Sequence, residues 1–440
     1  MSRLFAAITE MKNVCSVIEY ILTFSLVLCL LFALTIGTAL IPRDAVRPKM
    51  LESAEYMCER QSTFLVRDFL TASVIDRYAD CITISIAYYL DENHPVESSM
   101  WTSFYGAHTS RMNELLLEGI SEDLSPNQEY LRYWHGSSAV IRFLHLFWNI
   151  KTIYIFHAVL MAGLYTILLI LLIKKHMLPE ALAFTLSMII VSVWFVPLCL
   201  EYTWMFLVMF VAAIIGLRLP EKHIGNFFLI TGMVAAYLDF LTTETLTLLI
   251  PLLFILRIRS RQGKGDSWAI TIKSCILWGI GYLGMWVSKW ILASVILNQN
   301  VMPMVTDHID ERLNGSFGLS GFAFIKAAFA RNLKCLFPYE YGISGAVLVF
   351  VFIIVVVIIP VAKDRMKIRE KINTHIIPIY VFIALIPFIR FAVLRNHSYA
   401  HRFFTHRALA STILALCFIV LECIEWNKKR SCRYPLKQGS

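Results

Sequence analysis

The most constraining feature of this chain is a recurring apolar stretch about twenty residues long. One such run covers residues 20–41, and a nearly unbroken series follows from residue 152. A helix needs roughly 20 apolar residues to cross the hydrocarbon of a bilayer. Hydrophobic residues make up 58% of the sequence and charged residues only 16%, against about 25% charge in an ordinary globular domain. A soluble fold cannot bury that much apolar surface and still keep a polar outside, whereas a polytopic helical membrane protein presents its apolar surface to lipid. The net charge of +9 comes from short Lys and Arg clusters between apolar runs. That pattern orients spans in a membrane and gives no nucleic-acid-binding patch.

The fold class expected is therefore an all-α polytopic membrane protein with about ten transmembrane helices. Residues 1–41 form a short N-terminus and the first span, read as a retained anchor because no small-residue cleavage site follows it. Residues 42–151 form a large polar loop. Nine further spans follow in 152–425, at about 152–173, 180–199, 202–217, 224–239, 244–257, 268–294, 344–362, 374–394 and 408–425; 426–440 is a basic tail. The short pair 224–239 and 244–257 can also be read as a re-entrant element. Every even-numbered span exits into basic sequence: Lys174 and Lys175; Arg218 and Lys222; Arg257, Arg259, Arg261 and Lys264; Lys363 to Lys371; Lys428 to Arg433. The odd-side loops at 200–203 and 239–244 carry no Lys or Arg. Cytoplasmic Lys and Arg set orientation, so both termini are expected in the cytoplasm of a plasma-membrane protein, with the 42–151 loop outside. The outer loop 295–343 is longer. The outer loop 395–407 breaks the charge pattern with Arg395, Arg402 and Arg407.

The ten cysteines show no metal-binding spacing, and most sit within spans as small apolar residues. Cys58 and Cys81 share the large loop and can pair. Phosphate-loop, haem and nucleic-acid motifs do not appear.

Ionisable residues at a membrane boundary are costly and therefore informative. Five groups collect on the outer side. In the first loop, residues 64–90 alternate at helical spacing, predicting one or two helices lying on the membrane, with Asp76 and Asp80 four residues apart on one face. Paired carboxylates raise one another's pKa, as a general base requires, although a solvated helix face has the same spacing. The run YLRYWHG supplies Arg132, Trp134 and His135, either an aromatic belt or a site that holds an anion, with Gly136 allowing close backbone approach. DFLTTET contributes Asp239 and Glu244. GYLGMWVSKW contributes Lys289, which can snorkel to headgroups or bind a lipid phosphate. Glu201 is a weaker addition. RNHSYAHRFFTHR contributes Asn396, His397, Tyr399, His401, Arg402 and Arg407. His397 and His401 have i, i+4 metal-ligand spacing, but three neighbouring arginines favour an anion with aromatic platforms for a sugar ring.

This arrangement resembles the C-type (GT-C) glycosyltransferase superfamily, whose members carry a large first outer loop with interfacial helices. Still closer is the likeness to a set of Gram-positive polytopic membrane proteins without an established activity. It spans nearly the whole chain and rests on RYADCITISIAY, YLRYWHG, DFLTTET, GYLGMWVSKW and NHSYAHRFFTHR. The superfamily resemblance implies an inverting transferase that moves a sugar from a polyprenyl-phosphate-linked donor to a cell-envelope glycan or lipid. It implies Asp76 or Asp80 as base, Lys289, Arg402 and Arg407 as ligands of the donor phosphate, and His135 as an orienting residue. The other polar residues of the outer clusters (Asn396, His397, Tyr399, His401, Arg132, Trp134, Asp239 and Glu244) would then bind sugar or orient donor and acceptor. Superfamily acids usually lie soon after the first span, a position that Asp44 also occupies. Members differ in metal use, so a divalent metal is left open and no other cofactor is expected. The competing reading is a transporter or flippase of lipid-linked glycans, which would place polar groups near the bilayer midplane, often within internal repeats. No repeat between the halves is evident.

Overall fold

The computed structural model describes residues 2–107, 111–265, 267–314, 317–319, 321–336, 366–368 and 374–426. The expected span 344–362, the basic stretch 363–365 and 369–371, and the tail from 427 lie outside the described residues.

The protein is mostly helical. The first span belongs to a long helix, α1 (Ser2–Ala39), whose Leu22, Leu26 and Leu30 are each at least 60% exposed. Large exposed aliphatics recur on α7 (Ile150–Lys174) and α12 (Ser267–Ile296), including Val159 and Leu283. Water does not tolerate such surfaces, but lipid does. Among the described residues, four stretches are long and apolar enough to cross a membrane: Ser16–Ala39, Ile150–Lys174, Ser267–Ile296 and Arg402–Cys423. Shorter apolar helices lie among them: α8 (Leu178–Ile190), α9 (Leu200–Gly216) and α15 (Ile377–Val393). Two more, α10 (Ile224–Leu238) and α11 (Leu246–Arg261), are largely buried inside the bundle. These features are those of an all-α membrane protein.

Small residues set the closest helix approach. An added Cβ on Gly232 of α10 would lie 2.2 Å from the Trp278 carbonyl oxygen, and one on Gly281 of α12 would lie 2.2 Å from that of Leu229. Each helix thus rests its backbone on the glycine of the other, the packing that apolar solvents favour because no hydrophobic force drives helices together there.

The connections gather at two ends. One holds the 42–149 segment, built from α2 (Arg43–Cys58), α3 (Arg77–Tyr89), α4 (Pro95–Trp101), α5 (Met112–Ser121) and α6 (Gly136–Leu144). It also contains an antiparallel hairpin, β1 (Thr63–Leu65) with β2 (Val74–Asp76), in which Thr63 faces Asp76. Helices α13 (Met302–Asn314), α14 (Gly321–Leu336), α16 (Arg395–Ala400) and α17 (Arg402–Thr405) pack at the same end. The last helix, α18 (Ala410–Cys423), then returns through the bundle. A second small pairing joins β3 (Met366–Ile368) to β4 (Ile424–Trp426).

The 64–90 region departs from the expected surface helices. Its first third is the hairpin, and Arg77, Asp80 and every residue from Cys81 to Tyr89 are buried. The alternation there reflects packing on both sides, against α2, α5, α6 and α9, and not a helix floating on lipid.

The opposite end is tied by ion pairs. Arg257 of α11 joins Glu180 of α8 at 2.8 Å and Glu422 of α18, all three buried. The Lys264 ammonium meets Glu221 at 2.6 Å, and Arg261 donates to the His176 carbonyl at 3.1 Å. Among the described residues, the expected cytoplasmic cluster Arg257, Arg259, Arg261 and Lys264 thus gathers at the end away from the 42–149 segment.

Candidate functional site

Three of the five polar groups meet at one cavity of about 510 Å³ at the 42–149 end. Its walls include Asp76 from the hairpin, Arg132 and His135 from the end of the first loop, and His397 and His401 from the α16–α17 corner. That volume falls within the roughly 300–1,000 Å³ of small-molecule sites.

Asp76 ends β2 and caps α3. Its Oδ1 accepts the amides of Tyr78 at 3.1 Å and Ala79 at 3.4 Å, and the Thr63 hydroxyl at 3.5 Å. Asp is a preferred N-cap because its short carboxylate reaches the helix's free amides. This explains why Asp76 stands just outside the helix and does not share a helical face with Asp80. All three bonds fall on one oxygen, and the residue lines the cavity. Burial first, and the Asp80 carboxylate second, push the Asp76 pKa up to about 6.

Asp80 has a different setting. It is fully enclosed and accepts the Tyr154 hydroxyl at 2.5 Å, the Leu200 amide at 2.9 Å and the Glu201 amide at 3.3 Å. It therefore ties α3 to α7 and satisfies the start of α9. Burial raises its pKa despite those bonds. Asp44 is exposed in the first turn of α2, where a carboxylate favours the helix dipole.

His135 has a left-handed backbone, φ 54°, uncommon for a residue with a side chain. Its Nε2 lies 2.9 Å from the Tyr130 carbonyl and so carries the proton. Its ring packs against Tyr130, Tyr133 and Phe240. Burial, followed by the charge of Lys289, holds His135 well below the usual imidazole range, so it is neutral. Arg132 donates to the Tyr130 hydroxyl at 2.9 Å and lies over the Tyr130 and Tyr133 rings. The His397 and His401 rings lie with their centres 4.7 Å apart, tilted by 38°.

The other candidates lie behind or beside the cavity. Lys289 is fully buried and donates to the carbonyls of Ser99 at 2.9 Å and Met100 at 3.0 Å, serving the end of α4 and not a headgroup. Trp134 donates to the Met285 carbonyl at 2.6 Å and packs within 5.7 Å of the Lys289 ammonium. Arg407 is buried and donates to the Phe403 and Ala72 carbonyls at 3.0 and 2.8 Å, which fastens α17 to the segment that joins the two hairpin strands. Arg402 and Asn396 are partly buried and do not line the cavity. Tyr399 packs on Phe317 and Phe324 under the Arg331 guanidinium. Asp239 accepts the Thr242 amide at 3.0 Å and the Tyr282 hydroxyl at 3.3 Å. Glu244 is held by Arg390 at 2.8 and 3.2 Å. Together these bonds fix the turn that points Phe240 at the cavity.

The wall also contains residues that the charge-based reading passed over: Tyr78, Phe104, Glu129, Tyr130, Tyr133 and Phe240, while Glu201, the weaker addition, joins them. Tyr130 and Tyr133 lie inside the flagged run YLRYWHG and Phe240 inside DFLTTET, and Glu129 stands one residue before the first of these runs. Phe104, in no flagged run, carried no such signal. Among the described residues, no three His, Cys, Asp or Glu side chains group as a metal site. Cys58 and Cys81 are both free thiols. Comparison with known protein families, curated proteins and solved structures finds no match for this chain.

Proposed function

We propose that the protein is a membrane glycosyltransferase that takes a sugar from a polyprenyl-phosphate donor and transfers it to a cell-envelope glycan or lipid on the outer side. In this reading the helices form a bundle of about ten spans, and the 42–149 end faces outward. The observation that carries it is the meeting of Asp76, Arg132, His397 and His401, from three distant segments, around one aromatic-lined cavity.

Asp76 is the base. Its Oδ1 is engaged by α3, its Oδ2 is uncommitted, and a carboxylate titrating near pH 6 is matched to taking a proton from an acceptor hydroxyl at neutral pH. That oxygen then attacks the anomeric carbon, and the bond to the lipid phosphate breaks with inversion. Arg132, His397 and His401 offset the charge that develops on the leaving phosphate. Tyr130, Tyr133 and Phe240 offer apolar faces to sugar rings. Asp80, Lys289 and Arg407 support the walls. The larger cavity and a smaller one at the opposite end, beside Glu180, Arg257 and Glu422, share no lining residue, which favours transfer over transport.

The test is release of polyprenyl phosphate by the purified protein in nanodiscs, using a panel of polyprenyl-phosphate sugars and envelope acceptors. Acceptor-dependent release that is lost in Asp76→Asn supports the proposal. Full activity in a folded Asp76→Asn variant removes Asp76 as the base. Movement of the same lipids across proteoliposomes without release would make the protein a flippase.

A further inference from the structure

The end of the bundle opposite the main cavity holds a second pocket, of about 230 Å³. Four helices meet around it. His176 follows α7, Glu180 sits in the first turn of α8, Arg257, Ser260 and Arg261 close α11, and Glu422 stands near the end of α18. The walls thus carry two carboxylates and two guanidiniums. Arg257 grips both acids, with Nε 2.8 Å from Oε1 of Glu180 and Nη1 on Oε1 of Glu422, where the Ser260 hydroxyl also donates at 3.0 Å. Arg261 donates from both terminal nitrogens to the His176 carbonyl at 3.1 Å, lies 3.8 Å from Oε1 of Glu180 and keeps 40% of its side chain exposed.

A tie between helices needs no more than those bonds, yet two features go beyond a tie. The ion pairs border open space, and Oε2 of Glu180, a residue that lines that space and is only 2% exposed, has no hydrogen-bond partner among the described residues. A buried carboxylate oxygen is costly to leave unpaired, and the donor that suits it best is itself charged. The four charged side chains sum to zero. Basic pockets at such a depth take anionic lipids, but here a ligand with net charge would leave one charge uncompensated in a partly buried site, whereas a zwitterion would not. The surroundings point to lipid as the source. Ile173 and Leu178 flank His176 in the chain, Leu182 lies one turn further along α8, and each is more than half exposed, as suits residues against acyl chains.

We propose that this pocket binds the headgroup of a membrane lipid that carries both a phosphate and a primary ammonium, as phosphatidylethanolamine does. The ammonium donates to Oε2 of Glu180 and to the Glu422 carboxylate, the phosphate accepts from the remaining N–H groups of Arg261, and the acyl chains lie along Ile173, Leu178 and Leu182. A choline headgroup has no N–H for the orphaned oxygen, and a glycerol headgroup brings phosphate without its counter-charge. The inference does not depend on the transferase reading, since the two cavities share no lining residue.

The test measures binding of dioctanoyl-phosphatidylethanolamine to the full-length protein in an uncharged detergent, beside the choline and glycerol lipids of the same chain length and free phosphoethanolamine. The ethanolamine lipid should bind about tenfold more tightly than either other lipid, the difference expected for one hydrogen bond between charged groups. Arg261→Gln should weaken it about tenfold. Glu180→Gln keeps an acceptor for Arg257 and removes the charge, so it should erase the preference for ethanolamine over choline; should that variant fail to fold, Arg261→Gln and the wild-type headgroup series still decide. Equal affinity of the wild type for all three lipids overturns the proposal, as does full affinity in Arg261→Gln or an intact ethanolamine preference in folded Glu180→Gln. Phosphoethanolamine that binds as tightly as the lipid would place the ligand in solution and overturn the lipid assignment.

Discussion

At the scale of single residues, the two acids of IDRYAD show how one spacing hides two roles. Asp76 faces the cavity with its pKa raised to about 6. Below the ordinary carboxylate range, folded and unfolded chains both hold its proton, and there is no penalty. As pH rises toward 6 the unfolded chain loses that proton first, so stability falls, and above 6 the cost is fully present, about 1–3 kcal/mol. Asp76→Asn keeps a helix-capping side chain and removes the charge. It should therefore melt higher than the wild type at pH 7.5, with a smaller gap at pH 4.5, while losing transfer activity. Equal gaps at both pH values would show that the carboxyl is not strained by burial. Asp80 should behave in the opposite way. Asp80→Ala strands the Tyr154 hydroxyl and the first amides of α9, for an expected loss of about 2–4 kcal/mol in thermal unfolding. A melting temperature within a degree or two of the wild type would contradict that anchoring role.

At the scale of elements, the reciprocal glycines of α10 and α12 decide how closely the bundle packs. Gly281→Ala places a methyl group 2.2 Å from the Leu229 carbonyl oxygen, so the helices must separate, at a cost of about 1–3 kcal/mol. Gly279→Ala on the same helix meets nothing within 4 Å and should be neutral or gain about 0.5–1 kcal/mol from helix propensity. Melting temperatures of the pair in one detergent would test this, and equal shifts would rule out the close crossing. Arg390 acts on a neighbouring loop. It grips Glu244 with two nitrogens and also donates to the carbonyls of Leu241 and Thr242. Leu241 there takes a left-handed φ of 64°, so the turn is held open against its own preference. Glu244→Gln leaves the buried guanidinium without its counter-charge and should destabilise by about 3–5 kcal/mol, read as loss of folded protein on extraction.

For the molecule as a whole, the two ends differ in kind. One holds the cavity and its turns, while the other holds the Glu180–Arg257–Glu422 ion pairs and a basic cluster of Arg259, Arg261 and Lys264. If the cavity end faces outward, a cysteine replacing Phe69, 72% exposed at the hairpin tip, will react with a membrane-impermeant thiol reagent in intact cells. One replacing Lys264 will react only after permeabilisation. The reverse labelling would invert the topology and place the cavity inside.

The sequence by itself determined that this is a helical membrane protein, because apolar length and charge scarcity are properties that each segment carries alone. It also picked out six ionisable residues that reach the cavity, Asp76, Arg132, His135, Glu201, His397 and His401, since ionisable groups beside apolar runs are costly wherever they fold. It could not separate lining residues from supporting ones. Lys289, Arg407, Asp80 and Glu244 look equally functional in one dimension, and only packing shows that each is spent on a backbone carbonyl, a helix start or an ion pair. Phe104 left no mark in the sequence, and Phe240, inside DFLTTET, was overshadowed by the acids beside it. Whether a side chain faces a cavity, or a hydroxyl lacks a partner, depends on neighbours brought from elsewhere in the chain, and that is decided only when the helices come together.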